Sequence, residues 1–134
     1  MALTVQSLDH VTLVSQDLAR TRRFYVDILG MQRVARPEFD FPGDWFQAGK
    51  TLIHINVAGL EAGLPGTPSS SGTHPTRGHH VAFLVDDVYA TAQALRQAGL
   101  AIVAGPRQRP DGGQQVYVSD PDGYLIELCT NPTR

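Results

Sequence analysis

Two segments of the chain carry the same alternation of apolar and polar positions. The first reads His10-Val-Thr-Leu-Val-Ser-Gln-Asp17, and the second reads His80-Val-Ala-Phe-Leu-Val-Asp-Asp87. In each, a histidine leads a short β-rich run, and an aspartate follows in a position suited to cap the start of a helix. The repeat therefore predicts a strand followed by a helix in both halves of the chain.

Apolar periodicity after each aspartate fits a helix that ends at a glycine. In the first half, the apolar positions with helical spacing before Gly30 are Leu18, Tyr25, Ile28 and Leu29. In the second half, those before Gly99 are Val88, Ala92 and Leu95.

Three strands are predicted after each helix. Those of the first half are Met31–Arg36, Asp44–Ala48 and Thr51–Val57. Those of the second half are Leu100–Ala104, Gln114–Ser119 and Tyr124–Thr130. Both halves thus read β-α-β-β-β, which predicts an α+β protein made of two tandem βαβββ modules.

The domain organisation follows from this repeat and from the chain length. We expect one domain over residues 1–134, with module 1 at about 7–57, a connector at about 58–78 and module 2 at about 79–131. The connector is rich in Gly, Pro and Ser and is predicted to be flexible. The loop from Gly105 to Gly113 is predicted to lie over a pocket.

Strand parity selects the candidate metal ligands, because residues two apart share a face of a strand. If Val11 and Leu13 pack on the first helix, His10 lies on the opposite, concave face. The same parity in the second copy places His80 on that face and turns His79 away from it.

The last strands of the two halves match as well, with Leu-Ile-His54-Ile standing where Leu-Ile-Glu127-Leu stands in the second copy. A rough two-fold between the modules would bring His10, His54, His80 and Glu127 to one concave surface. Three imidazoles and one carboxylate suit Zn²⁺, Fe²⁺, Mn²⁺, Co²⁺ or Ni²⁺ and fit Ca²⁺ or Mg²⁺ poorly. The alternative for any single histidine is a hydrogen-bonded structural residue.

Several other side chains are open to a structural or a functional interpretation. Trp45, Phe46 and Tyr117 are candidates for lining a substrate pocket, or are plain core aromatics. Cys129 is interpreted as a small buried residue rather than a nucleophile. The arginines interpreted as solvated, with a clamp on a substrate carboxylate as the alternative, are Arg36, Arg107 and Arg109.

Composition narrows the class of partner. A formal net charge of −2, with 11 Lys and Arg residues scattered along the chain, gives no basic stripe and argues against nucleic acid. The single cysteine and the absence of a leader pattern or a long apolar run predict a cytoplasmic protein with no membrane span.

Together, four motifs resemble the vicinal oxygen chelate superfamily, which includes glyoxalases, extradiol dioxygenases, fosfomycin-modifying enzymes and bleomycin-binding proteins. They cover nearly the whole chain: Leu8-Asp-His-Val, Phe24-Tyr-Val-Asp-Ile-Leu-Gly-Met, Gly78-His-His-Val-Ala-Phe and Asp120-Pro-Asp-Gly-Tyr-Leu-Ile-Glu. The resemblance implies a curved, half-barrel-like mixed sheet with helices on its outer face. It also implies metal ligation by the residues at His10, His54, His80 and Glu127.

Departures from the family pattern bear on the reaction. His54 stands where many glyoxalases have Glu and epimerases have Gln, and Val14 stands where glyoxalases often have an arginine that binds glutathione. The acid-base histidine that dioxygenases place ahead of the Val116-Tyr117 pair is missing. Thr12 and Tyr117 match positions that fosfomycin-modifying enzymes use, which makes them candidates for substrate binding together with Trp45.

The leading hypothesis is a lyase or isomerase in which one divalent metal binds two adjacent substrate oxygens and stabilises an enediolate, with Glu127 as ligand and catalytic base. The alternatives are a non-haem iron dioxygenase that uses His10, His80 and Glu127, and a non-enzymatic resistance protein that binds a small molecule. A homodimer is predicted because each half exposes strand edges.

Overall fold

A computed structural model describes residues 2–66 and 73–132 of the chain. The chain forms two compact units, Met1–Leu64 and Pro65–Arg134. The division falls in the predicted connector, which also holds an isolated bridge between Gly59 and Gly63 and a short 3-10 turn, Pro75–Arg77. Residues 67–72 of the predicted connector lie outside the described residues.

The first unit contains a four-stranded mixed sheet. Its elements are β1 (His10–Ser15), α1 (Leu18–Arg22), a π-helical segment (Arg23–Ile28), β2 (Gln32–Val34), β3 (Gly43–Ala48) and β4 (Thr51–Val57). The strand order is β1-β4-β3-β2, with β1 parallel to β4 and the other neighbours antiparallel.

The second unit repeats this arrangement. Its elements are β5 (Val81–Leu84), α2 (Val88–Gln97), β6 (Ala104–Gln108), β7 (Gln114–Ser119) and β8 (Leu125–Cys129). The order is β5-β8-β7-β6, and the one parallel pair again joins the first strand to the last. The predicted α+β class with two tandem βαβββ modules is therefore confirmed, and each module forms a sheet of its own.

Both predicted helix starts are capped by the aspartates that the repeat indicated. The Asp17 carboxylate accepts hydrogen bonds from the backbone N–H groups of Ala19 (2.9 Å) and Arg20 (3.2 Å). Asp87 accepts one from the N–H of Ala90 at 3.0 Å. Each side chain thus satisfies amide donors that the first helical turn leaves unpaired.

The buried face of the first helix differs from the prediction. Its buried residues are Thr21, Phe24 and Tyr25, whereas Ile28 and Leu29 are only half-buried. The difference arises because residues from Arg23 onward adopt the wider π-helical turn, which changes the angular step between side chains. In α2 the predicted Val88, Ala92 and Leu95 are all buried, since that helix stays regular.

The predicted strand Leu100–Ala104 is wrong, because β6 runs from Ala104 to Gln108. The predicted strand stopped before Gly105-Pro106, and proline has no N–H for a regular ladder. The structure accommodates that dipeptide in a register irregularity between Ala104 and Arg107, on a strand at the edge of the sheet. The first four residues of the segment predicted as a loop, 105–108, are therefore strand.

Strand parity sorts the first unit into a packed face and an open face. Leu13, Phe46, Ile53 and Ile55 are at most 6% exposed, and the Phe46 ring stacks on Tyr25 of the helical segment. The alternate positions on these strands therefore point to the other face, as the sequence predicted for His10 and His54.

No helix among the described residues is long and apolar enough to cross a membrane. The cytoplasmic location and the homodimer stay predictions.

Candidate functional site

In the first unit, the open face of the sheet centres on His54. The register sets Thr12 of β1 beside it on one side and Trp45 of β3 beside it on the other. All three residues point away from the packed core, because Ile53 and Ile55 on either side of His54 are buried in it. Two predicted substrate-binding residues therefore flank a predicted metal ligand.

Three aromatic rings stack across this face. The imidazoles of His10 and His54 lie 3.9 Å apart between centroids and 12° from parallel. The indole of Trp45 covers the other side of His54 at 4.1 Å and 3°. His54 is thus held between two rings, which fixes the plane of its imidazole.

The ring nitrogens of His10 differ in their partners. Its Nδ1 lies 2.7 Å from Oδ2 of Asp9, which fits an Nδ1–H that donates to the carboxylate. A neutral imidazole carries one N–H, so this tautomer leaves Nε2 with a free lone pair. Hydrogen bonding of the other ring nitrogen to a carboxylate or a carbonyl is the usual arrangement of a metal-ligating histidine.

His54 presents a buried nitrogen without a hydrogen-bond partner. Among the described residues, its Nε2 is one of two buried side-chain nitrogen or oxygen atoms that lack one. Burial lowers the pKa of His54, and repulsion from His10 and Arg36 lowers it further against the opposing pull of Asp9. The neutral imidazole that results is the form that binds a metal.

In the second unit, His80 and Glu127 face each other. His80 Nδ1 lies 2.9 Å from the carbonyl oxygen of Gly78, to which it can donate. Its Nε2 lies 3.1 Å from Oε1 of Glu127, which is 5% exposed. A neutral His80 bonded to Gly78 turns a lone pair toward a carboxylate. The lone pairs of His80 Nε2 and Glu127 Oε1 repel each other unless a proton or a cation lies between the two atoms.

The second oxygen of Glu127 belongs to a polar network. Gln115 donates from Nε2 to Glu127 Oε2 at 3.4 Å and to the Tyr117 hydroxyl at 3.2 Å. Tyr117 is only 3% exposed, and its ring meets the His80 ring edge to face, with 5.5 Å between centroids. Burial together with the hydrogen bond and the charge of Glu127 raises the pKa of Tyr117 to about 12. Tyr117 therefore stays a hydrogen-bond donor at neutral pH.

The predicted site residues divide between the two units. The first unit brings together His10, His54, Thr12 and Trp45, and the second brings together His80, Glu127 and Tyr117. Within neither unit do the described residues group three His, Cys, Asp or Glu side chains around one point. Each unit supplies two of the four predicted ligands.

The structure also bears on the neighbouring residues that had two interpretations. Phe46 is core rather than a pocket residue, with 0% exposure. The three arginines interpreted as solvated make specific contacts: Arg36 with Phe39 and Phe41, Arg107 with Gln115, and Arg109 with Asp111. Cys129 is buried, and burial and the neighbouring Glu127 raise the pKa of its thiol, so it is a weak nucleophile.

Sequence reasoning missed three contacts that orient the ligands. Gln115 shares a strand face with Tyr117, so parity contained a signal for it. Asp9 precedes a ligand directly and carries a carboxylate, which is a weaker signal. The contact of the Gly78 carbonyl had no signal in the sequence, because the direction of a backbone carbonyl before a strand depends on tertiary structure.

Comparisons with known proteins agree on the class of the chain. A family model described as "Glyoxalase/Bleomycin resistance protein/Dioxygenase superfamily" matches residues 7–128. A relative named lactoylglutathione lyase, from Haemophilus influenzae, is 34% identical, with 91% of this chain and 90% of the relative covered.

Two solved structures are similar along nearly their whole length. A glyoxalase/dioxygenase from Nostoc punctiforme has a TM-score of 0.73 at 25% identity, with 99% of this chain and 100% of that chain covered. The fosfomycin resistance protein FosX from Listeria monocytogenes has a TM-score of 0.74 at 21% identity, with 96% and 94% covered. The likeness to FosX shows the fold alone.

Burial of Tyr117, together with its polar network, predicts that it resists ionisation. The Cζ resonance of Tyr117, followed by ¹³C NMR and assigned with Tyr117→Phe, should not titrate between pH 7 and about 11, because its pKa lies near 12. A folded-state pKa above the unfolded value stabilises the fold at pH values below the unfolded pKa, and this contribution is lost as pH rises toward 12. A Tyr117 midpoint near pH 10 would contradict the network.

Proposed function

The chain belongs to the Glyoxalase/Bleomycin resistance protein/Dioxygenase superfamily, and from that premise we propose that it is a divalent-metal-dependent lyase or isomerase. Its substrate would be a small molecule with two adjacent oxygens. The observation that supports this best is the buried, unpartnered Nε2 of His54. A buried nitrogen without a partner is costly unless something binds it.

The proposed ligands are His10, His54, His80 and Glu127. His10 and His80 each place Nδ1 against an oxygen acceptor, which leaves Nε2 as the atom that can coordinate a cation. The third histidine, His54, has a lowered pKa and is therefore neutral when metal binds. A set of three imidazoles and one carboxylate suits Zn²⁺, Fe²⁺, Mn²⁺, Co²⁺ or Ni²⁺.

The catalytic role falls to Glu127. When bound, a divalent ion supplies a Lewis acid that polarises the adjacent oxygens of the substrate and makes the neighbouring C–H more acidic. Glu127 would take up that proton on a carboxylate oxygen. Gln115 and Tyr117 donate to this side chain and hold its orientation without competing for the proton, since neither is acidic at neutral pH.

Substrate contacts are proposed for the residues around these ligands. Thr12 offers an exposed hydroxyl next to His54, and Trp45 offers one edge of a half-buried indole. Tyr117 offers its ring beside His80. These groups would place a small polar molecule against the ligands through one hydroxyl and two aromatic surfaces.

Metal binding is tested by a matched pair of histidine variants. His54→Ala should weaken the affinity for Zn²⁺, measured by competition with a chelator, by at least about 10- to 100-fold, because even indirect losses at metal sites commonly reach this size. His79→Ala is the control: this exposed residue lies next to a proposed ligand, and its removal should leave the affinity unchanged.

If His54→Ala retains full affinity, the proposed ligand set shrinks to His10, His80 and Glu127. A set of two histidines and one carboxylate matches the facial triad of non-haem iron oxygenases. The reaction class would then move from proton transfer to oxygenation, and uptake of oxygen with a catechol and Fe²⁺ would identify it.

The reaction is tested by proton exchange. Incubation in D₂O with lactoylglutathione, and with small α-hydroxy and α-keto carbonyl compounds, should exchange an α-proton in ¹H NMR spectra. The panel includes compounds without glutathione because Val14 stands where glyoxalases often carry a glutathione-binding arginine. Exchange should stop when the metal is removed with a chelator and return when it is restored. Failure of every compound with metal bound would contradict the proposed reaction.

A further inference from the structure

A cleft of about 700 Å³ in the second unit has several basic side chains in its lining. Those that carry or can carry a positive charge are His74, Arg77, Arg107 and Arg109. Asp111 is the one acidic residue among the described residues of its lining. The cleft therefore has an excess of positive charge.

Asp111 forms an ion pair with one of these arginines, Arg109. Its two carboxylate oxygens accept from Nε and Nη2 of Arg109, each at 3.1 Å. This two-point pair neutralises Arg109 and leaves no acidic group of the lining for the other arginines.

Arg107 is held in place by neutral groups alone. Its Nε donates to Oε1 of Gln115 at 3.0 Å, and its Nη2 lies 3.4 Å from the hydroxyl of Thr76. Its guanidinium carbon stands 5.8 Å from the centre of the Tyr117 ring. Arg22, Arg33 and Arg109, by contrast, each form an ion pair with an aspartate. Among the described residues, Arg107 is thus an oriented cation that no carboxylate contacts directly.

Gln115 connects this cation to the proposed site. Its Oε1 accepts from Arg107, which obliges its Nε2 to face Tyr117 and Glu127. The guanidinium of Arg107 is therefore separated from the Glu127 carboxylate by a single amide group. Gln115 lines the cleft itself, so a small molecule there would contact Arg107 and lie next to the residue that contacts Glu127.

We infer that Arg107, assisted by Arg77, binds an anionic group of the substrate, either a carboxylate or a phosphate-type oxyanion. A guanidinium held by neutral partners keeps N–H donors and its full charge for such a group. The inference rests on the proposed function for the other end of the substrate, where the adjacent oxygens lie. The substrate would then be a small molecule that carries an acidic group.

The test uses metal-free protein and two probes, inorganic phosphate and acetate. Each is titrated while the backbone amide of Arg77 is followed by ¹H–¹⁵N NMR. At least one probe should give a saturable shift, and Arg107→Gln should weaken its binding by at least about tenfold, the usual scale for a hydrogen-bonded charge. Arg96→Gln, the same change on an exposed position of α2, should leave binding within about twofold.

A second variant covers the case in which Arg107→Gln disturbs the cleft. Gln115→Glu keeps the guanidinium but puts a carboxylate against its Nε, and it should weaken anion binding in the same way. No saturable shift with either probe, or equal binding by wild type and both variants, would overturn the inference.

These outcomes are separable from those of the metal site. Since no metal is present in the titration, His54→Ala should bind the anion as wild type does. Anion binding by a protein that refuses Zn²⁺ would leave the anion site standing and remove the proposed function. Zn²⁺ binding without anion binding would remove the anion site and leave the proposed function standing.

Discussion

The parallel pairing of the first and last strand in each unit is the constraint on which the site depends. In the first unit this pairing sets β1 beside β4, and in the second it sets β5 beside β8. Because alternate residues on a strand share a face, the pairing brings the leading histidine of each unit next to the central residue of the last strand. The products are the stack of His10 on His54 and the contact of His80 with Glu127.

The two pairs differ in electrostatics although they occupy equivalent positions. The pair in the first unit holds two imidazoles, and their mutual repulsion helps to keep His54 neutral. The pair in the second unit holds an imidazole and a buried carboxylate. Burial raises the pKa of Tyr117 and of Cys129, and the neighbouring Glu127 raises both further. One unit thus offers two imidazole nitrogens, and the other offers an imidazole nitrogen and a carboxylate.

Much of this arrangement could be predicted from the sequence because it follows from periodicity. The βαβββ order, the aspartate caps and the strand face of each candidate ligand all depend on spacings of two or of about 3.6 residues. The internal repeat also distinguished His80 from His79, which a single motif could not have done.

Features outside that prediction depend on contacts between residues distant in sequence or on local backbone geometry. The π-helical segment buries Phe24 without a signal in the apolar pattern. Thr21 is buried in α1 although it is polar, and its hydroxyl lies 2.6 Å from that of Ser15. The bulged edge strand carried Pro106 where a regular strand would exclude it. The fixed orientation of Arg107 required Gln115 and Thr76, which come from two different segments of the chain.

The central claim is that three imidazoles and one carboxylate of this chain bind one metal ion. X-ray absorption spectroscopy of the protein loaded with one equivalent of Zn²⁺ tests it most directly, because imidazole ligands give a distinct multiple-scattering pattern. The account predicts three imidazole nitrogens at about 2.0–2.1 Å, with oxygen completing the shell and no sulfur from Cys129. A spectrum with one imidazole or none, or with a sulfur ligand, would contradict it.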